Sequence, residues 1–220
     1  MQLKLFGQSF AQFIVVINYK QGFLLHHIPV TYFSLSFANN SDEMVKIFTA
    51  TAHDIPEQNR GEVVLNQHRV RCALGKEGVI AAERKREGDL RSPLGVWPVR
   101  FVYYRPDRTP APKTVLPLVA LTPDDGWCDD AMDEAYNQPV KLPYKARTES
   151  LWREDHVYDV IIVLGYNDDP VVPGHGSAIF AHVAREGYVG TEGCVAMKIK
   201  DVLMLLELAE PDSAIEIKSA

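Results

Sequence analysis

The sequence predicts a mainly β domain, a sheet or sandwich with one or two helices. Three observations carry this. Short apolar runs alternate with polar residues, as where Val70, Cys72 and Leu74 interleave with Arg69, Arg71 and Ala73. Gly, Pro and Asn punctuate these runs at short intervals. The clearest helical spacing is Val202, Leu203, Leu205, Leu206 and Leu208 over residues 200–209, with Pro211 just beyond. Strands and helices do not alternate regularly, so a doubly wound parallel sheet is excluded.

The elements follow in order. Met44-Val45-Lys46-Ile47 opens a short β-like run, and residues 51–60 read as a polar turn region. Residues 62–66 and 68–74 flank a break at Asn66-Gln67, the pattern of a hairpin. Gly75 and Gly78 turn the chain into a strand over 79–82. A charged loop is expected over 83–95 and a strand over 97–104. Residues 104–123 are rich in proline, which blocks ladders, and 124–144 read as loop around Gly126, Asn137 and Pro139. So long a connection is expected to form one wall of a cleft. Residues 150–155 are expected to make a short helical turn. Residues 157–164 are the most β-like run and read as a central strand. After a turn region over 167–176, a strand over 178–184 puts Ile179, Ala181 and Val183 on one face and Phe180, His182 and Ala184 on the other. Residues 185–193, with three glycines, read as a loop, and 214–218 as a last edge strand. There is no internal repeat.

Composition narrows the class. The chain has 220 residues, 46% hydrophobic and 24% charged, which excludes collagen, low-complexity disorder and a disulfide mini-scaffold. A net charge of -6 argues against a broad nucleic-acid footprint. Three cysteines, Cys72, Cys128 and Cys194, leave at least one thiol without an intramolecular partner.

The charge is unevenly spread. Residues 1–43 hold four charges, Lys4, Lys20, Asp42 and Glu43, yet eight of the 21 aromatics. The apolar run 10–17 is too short to span a bilayer, and the run 23–38 is interrupted by His26, His27 and Pro29. Three readings of 1–43 stand: an extension outside the working protein, with a true start at Met44; an export signal cut after Ser36-Phe37-Ala38; or an anchor or packed segment. Membrane contact is expected only under the anchor reading. The functional domain is expected over 44–220.

One constellation carries chemistry. His182 lies on a predicted strand, and a glycine loop leads to Thr191-Glu192-Gly193-Cys194. An imidazole beside a thiol can take its proton and produce a nucleophile for acyl transfer. Gly193 permits a close backbone approach, so N–H groups at Gly193 and Cys194 are candidate oxyanion donors. From spacing alone, an inert core cysteine and a structural histidine are the commoner readings. His175, His182 and Cys194 match no standard zinc spacing, and neither metal nor cofactor is expected.

The stretch from Gly176 to Met197 resembles the active-site signature of the YkuD-type L,D-transpeptidases, bacterial cell-wall enzymes with a Ser/Thr-x-Gly-Cys motif and an upstream His. Further blocks agree in order: residues 85–89, Ser92-Pro93-Leu94-Gly95, Tyr104-Arg105, residues 126–130, residues 136–140, Leu151-Trp152-Arg153 and Tyr158-Asp159. The resemblance covers about residues 60–218. It departs from the better-known pattern at Glu192, where a His is usual, and at Ala196, where an Arg or Asn is usual.

The resemblance implies a YkuD-like β domain whose Cys194 is acylated by peptidoglycan stem peptides, with His182 as base and then acid. It implies cleavage after the L-centre of diaminopimelate in a tetrapeptide and transfer to an amine, giving 3-3 cross-links. Substrate contacts are expected from Arg86 and Arg91 to carboxylates, from Asp129 and Asp130 to an ammonium, and from Ser177 and Thr191 near the pair. Two alternatives remain: an L,D-carboxypeptidase that hydrolyses tetrapeptide stems, and a non-catalytic peptidoglycan-binding module. Cross-linking implies the periplasm or cell envelope; a start at Met44 implies the cytoplasm.

Overall fold

The computed structural model describes residues 4–6, 14–16, 45–52 and 60–220. The chain divides into two units, Met1–Asp42 and Glu43–Ala220. In the first, strand β1 (Lys4–Phe6) pairs antiparallel with β2 (Ile14–Val16). The rest of the expected extension, with Met44 and residues 53–59, lies outside the described residues.

The second unit begins with β3 (Ile47–Ala52), β4 (Arg60–Leu65) and β5 (His68–Ala73). The expected hairpin is β4–β5, with Leu65 opposite His68 across the two-residue turn Asn66-Gln67. Asn66 sits at a φ of 53°, which asparagine tolerates better than most residues. Next come β6 (Val79–Ala81) and the long β7 (Ser92–Tyr104), so the charged loop ends four residues earlier than expected. The chain continues through β8 (Leu118–Ala120), β9 (Asp125–Cys128), β10 (Pro139–Lys141), β11 (Thr148–Ser150) and β12 (Val160–Leu164). It ends with β13 (Phe180–Val183), β14 (Val195–Met197), α1 (Ile199–Leu208) and β15 (Ala214–Ser219).

Hydrogen-bonded neighbours run β12-β13-β14-β5-β4-β3-β15-β7, and β7 pairs back to β12. The circuit gives the mainly β domain a barrel-like core. One face of the strands fills the main core with Phe48, Val63, Leu65, Cys72, Val102, Ile162, Ala181, Met197 and Ile215, and α1 adds Val202, Leu205 and Leu206. All five residues of β12 are buried, as a central strand requires.

The opposite face of β12 and β13 is covered by a second layer. Ile161, Val163 and Phe180 pack with Trp127, Leu151, Val157 and Tyr158. Trp127 lies on β9, the middle strand of a small antiparallel sheet ordered β10-β9-β11. This sheet corrects the loop expected over 124–144. Pro139 opens β10, an edge strand, where a missing N–H costs no ladder bond.

Two other expectations are corrected. Residues 150–155 form no helix: the Leu151 N–H goes to the Asp125 carbonyl, and the Arg153 carbonyl accepts from Arg105 and Arg108. Strand β15 is not an edge. It lies between β3, in parallel, and β7, antiparallel. Its alternation shows two faces but cannot show how many neighbours share its backbone.

Candidate active site at the β13–β14 junction

Strands β13 and β14 run parallel, with Ala181 beside Val195 and His182 beside Ala196. One step earlier the same register sets Cys194 beside Phe180. Side chains alternate along a strand, so Phe180, His182, Cys194 and Ala196 share the face opposite the main core. His182 and Cys194 are thus diagonal neighbours at the foot of a polar cleft of about 280 Å³. The intervening loop, short in sequence, suffices because parallel neighbours need the chain to return only once.

The loop ahead of Cys194 is fixed by its own hydrogen bonds. Thr191 donates its N–H to the Leu74 carbonyl and accepts at its own carbonyl from Lys76, extending the end of β5. Its hydroxyl donates to the Cys194 carbonyl at 2.7 Å and accepts from the Gly193 N–H at 3.2 Å. The buried Ser92 hydroxyl donates to the same carbonyl at 3.4 Å and accepts from Gly75 N–H. Gly193 has a φ of 137°, and a Cβ there would stand 2.9 Å from the Arg91 carbonyl oxygen. Only glycine fits without displacement of backbone.

The thiol of Cys194 donates to the Ala178 carbonyl at 3.2 Å and accepts from the Phe180 N–H at 3.4 Å. Burial pushes it up to about 12, and the charges of Glu149 and Glu192 add to the rise. His182 Nδ1 lies 3.0 Å from the Val183 carbonyl oxygen. That oxygen can only accept, so this contact places the imidazole proton on Nδ1 and leaves Nε2 with a lone pair. Burial holds His182 down at about 4, and the Arg185 and Arg153 charges push the same way. Tyr158 packs edge-on against the imidazole, with ring centroids 5.4 Å apart. At rest the pair is a neutral thiol and a neutral imidazole.

Ser177 and Asp129 line the cleft. Ser177 donates to Glu87 Oε2 at 2.8 Å, and Asp129 accepts from Arg147 at 3.0 Å. Thr191 lines it too, with its hydroxyl turned to the Cys194 loop. The other three candidates stand outside the lining. Arg86 donates to the Glu83 and Lys85 carbonyls, Asp130 caps a turn through Met132 N–H, and Arg91 meets the site through its backbone. The thiols of Cys72 and Cys128 are free and buried, Cys72 in the main core, and no disulfide joins them.

The cleft also holds residues that local patterns do not single out. Glu149 on β11 is half-buried and lines the same cleft as the thiol, accepts from the Tyr158 hydroxyl at 2.9 Å, and is held above the usual carboxylate range by burial. Arg153 pairs with both oxygens of Asp155, and Arg185 reaches the same carboxylate at 3.1 Å. Glu149 enters through pairing of β11 with β9, where it stands opposite Trp127, a register that no short motif encodes. Arg153 and Tyr158 fall inside the blocks of resemblance, which mark them without giving a role.

The site therefore belongs to a mainly β domain that sets a thiol and an imidazole on one face of two parallel strands, both lining the same cleft. The family model for the L,D-transpeptidase catalytic domain (YkuD) matches residues 52–217, and the chain belongs to that family. Comparisons with curated proteins and with solved structures give no match.

Proposed function

We propose that this protein is a cysteine acyltransferase acting on peptidoglycan stem peptides, with Cys194 as nucleophile and His182 as proton carrier. The observation that carries this reading is the anchored imidazole: Nδ1 is committed to the Val183 carbonyl, so Nε2 is the basic atom on the face shared with Cys194. Because both groups are neutral at rest, the proton moves from sulfur to Nε2 as sulfur attacks the carbonyl carbon. The C–S bond forms while charge gathers on the carbonyl oxygen. The N–H of Cys194, which makes no hydrogen bond among the described residues, is the first donor to that oxygen. The Gly193 N–H is a second, held until then by Thr191.

Collapse breaks the amide C–N bond, and Nε2 returns its proton to the leaving amine. The product is a thioester and, from a tetrapeptide, free D-alanine. An acceptor amine then attacks the thioester, loses its proton through Nε2 and restores the thiol. Transfer to a second diaminopimelate amine yields a 3-3 cross-link in the cell envelope. Water in place of the amine yields a trimmed tripeptide.

The test is incubation of the purified protein with a tetrapeptide stem, with and without an amine acceptor. Amide product appears with acceptor and free D-alanine in both arms. Cys194→Ala should lose both activities; retained turnover in that variant would sink the nucleophile assignment. Binding of the stem by the parent and by Cys194→Ser, with no reaction by either, would make the domain a binding module. Tripeptide alone in the presence of acceptor would make it a carboxypeptidase.

A further inference from the structure

The carbonyl that holds the Cys194 thiol proton belongs to a segment with unusual backbone. Gly176 has a φ of 97° and Ala178 a φ of 52°, a left-handed value that alanine rarely adopts. Such geometry persists only where its surroundings fix it. Two adjacent buried residues do so here. The Gly176 N–H donates to the Tyr136 hydroxyl at 3.1 Å, and the Ala178 N–H donates to Asn137 Oδ1 at 3.0 Å.

Both holders are themselves held. The Tyr136 hydroxyl donates to Glu87, which also accepts from Ser177 between the two clamped residues. Asn137 makes four side-chain hydrogen bonds: its oxygen also accepts from Trp127 Nε1 at 3.0 Å, and its nitrogen donates to the carbonyls of Tyr166 at 3.1 Å and Asn167 at 2.8 Å. That fills every position an amide offers. Asn137 too has a left-handed φ, 58°, which asparagine accommodates.

We propose that Tyr136 and Asn137 are positioning residues for the reaction, acting through Ala178. They clamp the Gly176–Ala178 backbone so that the Ala178 carbonyl receives the Cys194 S–H in the free enzyme. The clamp keeps the thiol protonated, in line with the carbonyl and on the face it shares with His182, until substrate draws the proton toward Nε2. Loosening the clamp frees the sulfur from its acceptor and admits water. The thiol then ionises more readily but is aimed less well.

The inference rests on the reading of Cys194 as nucleophile, but its main readout does not need peptidoglycan chemistry. The rate of Cys194 alkylation by iodoacetamide is followed against pH in the full chain, with the site of modification mapped by mass spectrometry. Asn137→Gly removes the amide without straining a left-handed position, and Tyr136→Phe removes one hydroxyl. Leu205→Ala, in the main core, is the control for lost stability. Asn137→Gly should move the alkylation profile down by about one pH unit while kcat falls roughly tenfold or more with KM little changed. Tyr136→Phe should move both the same way by less. Leu205→Ala should leave the profile in place. Unchanged profiles in folded Asn137→Gly and Tyr136→Phe, or an equal shift in Leu205→Ala, would overturn the proposal. Should Asn137→Gly not fold, Tyr136→Phe alone decides it by the same criterion. Loss of the nucleophile reading shows separately, as turnover by Cys194→Ala.

Discussion

A cysteine and a histidine can share a proton in two ways, as an ion pair prepared in advance or as a neutral pair that reacts in step with attack. Burial decides for the neutral pair here. With the thiol pushed up to about 12 and the imidazole held at about 4, neither group charges at neutral pH in the free protein. Alkylation of Cys194 should therefore rise through the alkaline range, with no inflection between pH 5 and 7; a plateau of reactivity below pH 7 would mean a preformed thiolate. The same burial has a cost in stability. An unfolded histidine near 6.5 takes a proton before His182 does, so stability falls as pH drops from about 6.5 to about 4 and is unaffected by this group above that range. The loss amounts to about 3 kcal/mol from one site. Denaturant titrations at pH 7 and 4.5 should show it, and the difference should shrink in His182→Phe. Gly193→Ala meets both an unsuitable φ and the Arg91 carbonyl, so kcat should drop about a hundredfold as the neighbouring nucleophile is displaced.

Elements set which residues meet. The parallel step from β13 to β14 puts two residues separated by the glycine loop on one face; in the sequence they stood out through that loop and the Thr191–Cys194 motif, because strand pairing leaves no local pattern. The strand over 157–164, the hairpin and the helix were legible too, because alternation and helical spacing report burial directly. The β10-β9-β11 sheet was not legible. Its strands are three or four residues long and lie among prolines, so local propensity is weak and pairing alone creates them. Glu149 stayed hidden with that sheet, whereas the clamp residues Tyr136 and Asn137 fell inside a block of resemblance that does not show their hold on the Gly176–Ala178 backbone. At this scale the Ser92 hydroxyl joins β7 to the turn after β5 and to the Cys194 loop. Ser92→Ala leaves a buried Gly75 N–H without its acceptor and should cost about 1–3 kcal/mol in chemical denaturation. A loss below a few tenths would mean that water or a shifted loop replaces the hydroxyl.

For the whole molecule, Glu43–Ala220 forms a compact unit that contains all of the family match and all of the site. Its barrel-like circuit closes within itself, since β3 pairs with β4 and β15 and needs no strand from the first unit. Residues 44–220 expressed alone should keep the thermal midpoint of the full chain within a few degrees and the same Cys194 alkylation profile; a large loss of either would show that residues 1–43 take part in the domain. The central claim concerns one sulfur atom in this unit. Its most direct test is intact-protein mass spectrometry after brief exposure to a tetrapeptide stem without acceptor. The expected result is an acyl adduct that maps to Cys194, with release of D-alanine, and no adduct in Cys194→Ala. An adduct on Cys128 or Cys72, or D-alanine release by Cys194→Ala, would contradict it.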